Sequence, residues 1–367
     1  MPICYNDQVS FPLVGYLLNR LFPALIIGAL LSACLAPPVT PNSPSPSVPA
    51  VNRCALYFTN PHSPTADAYQ GGPDEPLAES ISAARVSVDL AIYDLNLASI
   101  RDALLNAYQR GVAVRMVTES DNLDEAEIQE IKAAGIPVLG DRREGLMHNK
   151  FVVIDRSQVW TGSMNFTTND AYRNNNNFIC FDSTKLAEDY TVEFEEMFVD
   201  DHFGPDAVAQ TPYPQLTIGD VLLEVFFSPD DGTAARIIEL LNRASQSIYF
   251  LAYSFTSNDI AGAMLARAQE GVTVAGVFEE AQVESNIGSE YDHLLSAGLD
   301  VRLDGNPRNM HHKVILIDGQ IVITGSYNFS RNAEERNDEN TLIIHDPQIA
   351  ARFMEEFQRV YAEGQQP

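Results

Sequence analysis

Residues 147–167 read MHNKFVVIDRSQVWTGSMNFT and residues 310–330 read MHHKVILIDGQIVITGSYNFS. Both carry His-x-Lys-x4-Asp, once as His148, Lys150 and Asp155 and again as His311, Lys313 and Asp318. Both continue at the same spacing into Thr-Gly-Ser-x-Asn-Phe, so Ser163 and Asn165 match Ser326 and Asn328. Three fixed residues recur by chance at roughly one position in 8,000 on uniform usage, so a single hit means little. Two hits with the same tail indicate a duplicated unit, which has to be recognised before a fold is assigned.

The flanks repeat as well. Ser87 to Tyr93 (SVDLAIY) reads as a strand, Ala98 to Gln109 as a helix stopped by Gly111, and Ala113 to Val117 as a strand. Ser247 to Tyr253 (SIYFLAY), Asn258 to Gln269 stopped by Gly271, and Val272 to Val277 repeat that order. A further helix precedes each motif, over Glu125 to Ala134 and Ser289 to Ala297. An amphipathic helix closes each half, over Lys185 to Phe198 and Pro347 to Tyr361. Strand-length apolar runs alternating with helical periods predict α/β architecture. Between Asp200 and Gly219, Pro205, Pro212 and Pro214 interrupt regular structure and set the expected boundary. The first repeat is therefore expected over 54–204 and the second over 219–367.

Phe151 to Ile154 is an expected strand, and alternate residues of a strand share a face, so His148 and Lys150 point the same way. Val159 to Gly162 is expected to pair with it as a hairpin and to deliver Ser163 and Asn165 to the same edge. An imidazole beside an ammonium suits a phosphodiester. Its non-bridging oxygens call for cations and neutral donors, which Lys150, Lys313, Asn165 and Asn328 can supply, with the hydroxyls of Ser163 and Ser326 as further donors. Two imidazoles supply a nucleophile and a proton donor near neutral pH.

This duplicated pattern resembles the phospholipase D superfamily, and the resemblance covers nearly all of the chain after Cys54. It implies two α/β/α sandwich repeats with mixed central sheets, related by a pseudo-twofold, with the active site at their interface. One chain then suffices for chemistry. The catalytic set it implies is His148, Lys150, Asp155, His311, Lys313 and Asp318. One histidine forms a covalent phosphohistidine and the other protonates the leaving oxygen; family order gives the attack to His148. No cofactor is implied, and no Cys or His cluster in the sequence has metal-ligand spacing. Asp155 and Asp318 each end an apolar strand and open a turn, where a carboxylate satisfies backbone donors, so their own context favours a supporting role.

The copies differ at one informative place. Eleven residues past Asn328 stands Glu339, whereas eleven past Asn165 stands Asn176. In the superfamily a carboxylate here hydrogen-bonds a catalytic histidine. Glu339 is expected to favour an imidazolium and raise its pKa, and Asn176 to orient a ring without adding charge, so the two histidines should titrate differently. Whether Glu339 reaches the histidine of its own repeat or of the other is open at this stage. His312 should face away from the cleft in a structural role, and His62, His202, His293 and His345 lie outside the repeated pattern. Arg142, Arg143 and Arg308 either line the cleft mouth or solvate loops. The long polar stretch from Pro61 to Pro76 is a candidate lid or a plain surface loop.

With 367 residues, 45% apolar and 20% charged, the chain suits two globular domains of about 150 residues each. Its net charge of −27 repels polyphosphate backbones and disfavours nucleic acid as a partner. Arg20 to Cys34 reads as an export signal over residues 1–33, and Leu31-Ser32-Ala33-Cys34 resembles the bacterial lipobox, implying lipid on Cys34. Residues 34–53 are rich in proline and serine and read as a tether to a membrane surface. Cys54 and Cys180 then remain, either as one disulfide or as two buried thiols. Three functions follow in order of preference: phospholipid hydrolysis or transphosphatidylation by an exported, membrane-anchored lipoprotein, a nuclease, and a non-catalytic surface lipoprotein. Both motifs are intact, which counts against the last.

Overall fold

The computed structural model describes residues 55–365. The expected leader, the expected lipidation site Cys34, the expected tether and Cys54 lie outside them. Cys180 is buried and disulfide-bonded, and every other cysteine of the chain lies outside the described residues.

The first lobe runs through β1 (Ala55–Phe58), α1 (Asp74–Ala83), β2 (Ser87–Ile92), α2 (Ala98–Gln109), β3 (Ala113–Thr118), α3 (Ala126–Ala133) and β4 (Val138–Gly140). It continues through β5 (Lys150–Ile154), β6 (Gln158–Gly162), α4 (Thr168–Tyr172), β7 (Asn177–Asp182) and α5 (Thr184–Phe198). The second opens with β8 (Gln215–Ile218), β9 (Val221–Ser228), α6 (Thr233–Arg243), β10 (Ser247–Ala252), α7 (Asn258–Gln269), β11 (Thr273–Phe278), α8 (Glu280–Ser285) and α9 (Tyr291–Ser296). It ends with β12 (Asp300–Leu303), β13 (Lys313–Ile317), β14 (Ile321–Gly325), α10 (Arg331–Glu335), β15 (Glu339–His345) and α11 (Pro347–Glu363).

The strand orders are β1-β7-β6-β5-β2-β3-β4 and β8-β9-β15-β14-β13-β10-β11-β12, the same arrangement with β8 added at one edge. In each sheet the βαβ units pair parallel (β2 with β3, β10 with β11) and the motif hairpins pair antiparallel (β5 with β6, β13 with β14). The sheets are therefore mixed. Helix stops follow the glycines: Gly111 and Gly271 have φ of 90° and 93°, a conformation that costs other residues a Cβ clash. Strand β8 lies inside the stretch read as a boundary, because regular structure resumes at Gln215, directly after Pro214, with Leu216 and Ile218 facing inward.

Strands β5 and β13 are buried on both faces, which explains their unbroken apolar runs. Phe151 and Val153 of β5, with Val314 and Leu316 of β13, enter one core shared by both lobes. Phe194 of α5 and Phe353 of α11 fill that same core. Val152 and Ile154 face the outer core of the first lobe, and Ile315 and Ile317 that of the second. Burying one such side chain contributes roughly 1.5–3 kcal/mol. A continuous middle core thus holds the two sheets together and fixes the edges that carry the motifs.

Candidate active site

Each motif histidine sits just before its strand and is held by backbone from the opposite lobe. His148 N donates to Asp338 O at 3.0 Å, and His311 N donates to Asn175 O at 2.9 Å. The ammonium two residues on turns back to the same histidine: Lys150 Nζ donates to His148 O (2.7 Å) and Lys313 Nζ to His311 O (2.8 Å). Each ammonium also lies over a tyrosine ring, Tyr93 at 5.2 Å and Tyr253 at 4.5 Å, and the same rings meet His148 and His311 edge-on. These tyrosines were not singled out from the sequence, although they end the first matched strand of each repeat.

The imidazoles exchange supports across the lobes. Nδ1 of His148 faces Oε2 of Glu339 at 2.8 Å, and Nδ1 of His311 faces Oδ1 of Asn176 at 3.0 Å. Glu339 therefore serves the histidine of the other repeat. Each Nδ1 points at an oxygen acceptor, so Nδ1 carries the proton and Nε2 keeps its lone pair. Asp170 stands behind Asn176, its Oδ1 accepting from Asn176 Nδ2 (3.0 Å) and lying 3.6 Å from His311 Nδ1. The sequence reading missed it, and the missing carboxylate at Asn176 was the signal that could have prompted a search nearby.

Burial pushes His148 down to about 4, with Glu339 opposing and Lys150 adding to the fall. Burial, then Lys313 and Lys150, push His311 well below the usual range. Both histidines are depressed, and Glu339, expected to raise the pKa of its partner, only limits the depression of His148. Desolvation of a ring within a lysine-lined site outweighs one carboxylate. Burial likewise brings Lys150 down to about 8, opposed by Glu339, Asp170 and Asp94, and takes Lys313 well below its ordinary value.

Asn165 and Asn328 follow the strands that pair with the motif strands, and their buried side-chain oxygens have no hydrogen-bond partner among the described residues. Ser163 and Ser326, expected as further donors to substrate, are instead wholly buried and committed to the scaffold. Ser163 Oγ donates to Asn176 Oδ1 (2.8 Å) and accepts from Asn177 N (3.1 Å), and Ser326 Oγ accepts from Asn340 N (3.0 Å). Asp155 and Asp318, counted in the catalytic set by the resemblance but read from their own context as supporting residues, lie at the far ends of β5 and β13 from the histidines. Asp155 accepts from the backbone N of Arg85, Val86 and Ser87, and Asp318 from that of Ser245, Gln246 and Ser247. Burial would raise both carboxyls, but these backbone donors outweigh it and hold them below their ordinary value. Four of the six motif residues therefore converge on the cleft.

The remaining candidates resolve plainly. His312 is buried between Asn177 Nδ2 (3.1 Å) and Glu356 Oε1 (3.0 Å), as a structural residue should be. His62, His202, His293 and His345 each face a glutamate away from the cleft. Arg142 and Arg143 bind Asp201 in the connection between lobes, whereas Arg308 lines a surface pocket with His62 and Arg173. The stretch from Pro61 is pinned where Tyr69 packs on Tyr172 and accepts from Arg173, and its end, Asp74 to Pro76, already belongs to α1. Among the described residues no group of three His, Cys, Asp or Glu could hold a metal ion, and no helix is long and apolar enough to cross a membrane.

Two mixed-sheet lobes that pool a pair of imidazole-and-ammonium edges define a phospholipase D-type centre. The chain belongs to the phospholipase D superfamily: the family described as "Cardiolipin synthase, PLD-like domain" matches it twice, over residues 77–198 and 237–361. It is similar to a mitochondrial cardiolipin hydrolase of Chlamydomonas reinhardtii, 30% identical over 135 residues, which are 37% of this chain and 60% of that protein. It is also similar to a phospholipase D of Rickettsia bellii (strain RML369-C), 30% identical over 167 residues, which are 46% of this chain and 82% of that protein. The chain spans less than two thirds of the first of these, and 63% of a phospholipase D of Rickettsia typhi to which it is 35% identical over 129 residues, 35% of this chain. The solved structure of phosphatidylserine synthase from Haemophilus influenzae Rd KW20 shares the fold, at 15% identity and a TM-score of 0.64 over 84% of this chain and 86% of that one.

Proposed function

We propose that the protein is a phosphodiesterase of the phospholipase D type that cleaves a phospholipid headgroup diester through a covalent phosphohistidine, without a metal ion. The observation that carries this reading is the pairing of two buried imidazoles, each with Nδ1 bonded to the opposite lobe and each beside an ammonium.

The diester's non-bridging oxygens lie between Lys150 and Lys313, where two ammoniums offset its charge in a site that excludes water. Nε2 of His148 attacks phosphorus, forming a P–N bond as the P–O bond to the leaving alcohol breaks. His311, protonated as the anion enters, passes its Nε2 proton to the departing oxygen. Water then gives a proton back to His311 and its oxygen to phosphorus, the P–N bond breaks, and a phosphomonoester leaves. The division of labour follows from charge. Glu339 balances the cation that attack creates on His148, and Lys313 and Lys150, which act against charge on His311, favour release of its proton once it is protonated.

A lipid substrate is supported by the net charge of −27 and by the names of the relatives, a cardiolipin hydrolase and phospholipases D. Export and lipid on Cys34, proposed from the sequence alone, would hold the enzyme at the membrane that contains its substrate. Purified protein offered fluorescent phosphatidylcholine, cardiolipin, plasmid DNA and bis(p-nitrophenyl) phosphate in EDTA should turn over the lipid and the chromogenic diester. Cleavage of DNA alone would reverse the order of substrates, and loss of all turnover in EDTA would remove the metal-free route. His148→Ala and His311→Ala should each lower kcat by about 10³-fold or more, and the double variant should be little worse than either, because both act in one reaction. Cys34→Ser should move the protein out of the membrane fraction; an unchanged distribution rules out that anchor.

A further inference from the structure

The second repeat supplies a carboxylate to His148 directly, through Glu339, whereas the first offers His311 only the neutral amide of Asn176. The first repeat nevertheless has a buried carboxylate nearby that its twin lacks. Asp170 follows Asn165 by five residues, and the fifth residue after Asn328 is Ala333. Thr167 caps α4 and so fixes Asp170 within the first turn of that helix.

Asp170 is 3% exposed, and its contacts run toward the site. Oδ1 accepts from Asn176 Nδ2 (3.0 Å) and Asn174 Nδ2 (2.6 Å), Oδ2 from Asn165 N (3.1 Å), and its backbone O again from Asn176 Nδ2 (3.2 Å). With two acceptors on one side, the Asn176 amide must turn its NH₂ toward Asp170 and its Oδ1 toward His311. That acceptor requires His311 Nδ1 to be the donor, which leaves the Nε2 lone pair free. Lys313, Lys150 and His148 all act against charge on His311, and Asp170 is the carboxylate within 3.6 Å of its ring.

We propose that Asp170 is the positioning carboxylate of His311, the displaced counterpart of Glu339, acting through Asn176 to fix the imidazole tautomer and to stabilise the imidazolium that forms in the reaction. It touches no reacting atom. This assignment rests on the phosphodiesterase reading for its kinetic consequence, but its geometric consequence is independent of it.

Three variants test the proposal. With bis(p-nitrophenyl) phosphate, Asp170→Asn should lower kcat at least about tenfold with KM little changed. Adding Asn176→Glu to that variant returns a carboxylate to His311 Nδ1 and should restore most of kcat, whereas Asn176→Glu alone crowds two carboxylates and should not exceed the natural chain. In ¹⁵N-histidine NMR, His311 should be held with its proton on Nδ1 in the natural protein and lose that preference in Asp170→Asn. A kcat unchanged in Asp170→Asn, a double variant that folds with the same midpoint yet stays slow, or an NMR tautomer unmoved by Asp170→Asn each overturns the proposal. A natural protein that cleaves no diester but shows the tautomer shift overturns the function and leaves the positioning role standing.

Discussion

Glu339 belongs to the second half of the chain by sequence and to the first half by contact, because its Oε2 faces His148 Nδ1 at 2.8 Å. Removing its charge makes a signed prediction. Burial depresses His148 and Glu339 opposes that fall, so Glu339→Gln should lower the pKa of His148 further, while Lys150 and Lys313 remain. The acid limb of the kcat/KM profile, which reports the free imidazole, should move to lower pH as kcat drops; an unmoved limb would deny Glu339 its role. His312→Ala should keep most turnover and lose roughly 1–3 kcal/mol of stability in urea, since it takes one hydrogen-bond partner each from buried Asn177 and Glu356. At this scale the residue types of the site were legible because both copies print them. Asp170 was not, because only one copy has it, and the partner of Glu339 was not, because a repeat pattern carries no information on which copy crosses to which.

Among the elements, the helices Ala98–Gln109 and Asn258–Gln269 were readable to their ends because apolar periodicity stops against a glycine that leaves the helical conformation. Strand β8 was hidden by the prolines before it, although Leu216 and Ile218 alternate with exposed neighbours. The glycine of each Thr-Gly-Ser turn has a reason that only neighbouring strands disclose. A Cβ on Gly162 would meet Asn177 O at 2.3 Å, and one on Gly325 would meet Asn340 O at 2.1 Å. These are the residues that cross between lobes, since Thr324 Oγ1 donates to Asn177 Oδ1 (2.8 Å) and Thr161 Oγ1 to Asn340 Oδ1 (2.6 Å). Gly162→Ala and Gly325→Ala should therefore each cost about 1–3 kcal/mol, read as a lowered urea midpoint. Alanine accepted at both without change would mean that the strands have slack there.

At the scale of the whole molecule, the acidity of the chain is partly internal. Burial first, and in several cases neighbouring carboxylates, push Glu119, Asp189, Glu196 and Glu279 up to about 7 and Asp94 and Asp230 up to about 6. A carboxyl whose folded pKa exceeds its unfolded one binds more protons when folded, so stability falls as pH rises through that window. Buried His148, His311 and His312 act in the opposite sense, but only as pH falls below the unfolded value of about 6.5. The thermal midpoint should accordingly be higher at pH 6 than at pH 8 at fixed ionic strength, and a midpoint that rises from pH 6 to pH 8 would contradict the balance. The two-lobed plan was plain from the duplication, whereas the shared middle core, with α5 and α11 inside it, was not, because periodicity gives a helix's apolar face and not its neighbour. The crossed supports of the histidines also carry a genetic consequence. A lesion at Glu339 will behave as an allele of a residue 191 positions away, and suppressors should arise around His148. If the coding sequence were divided between the lobes, neither fragment would complement a loss of the other unless both were expressed together.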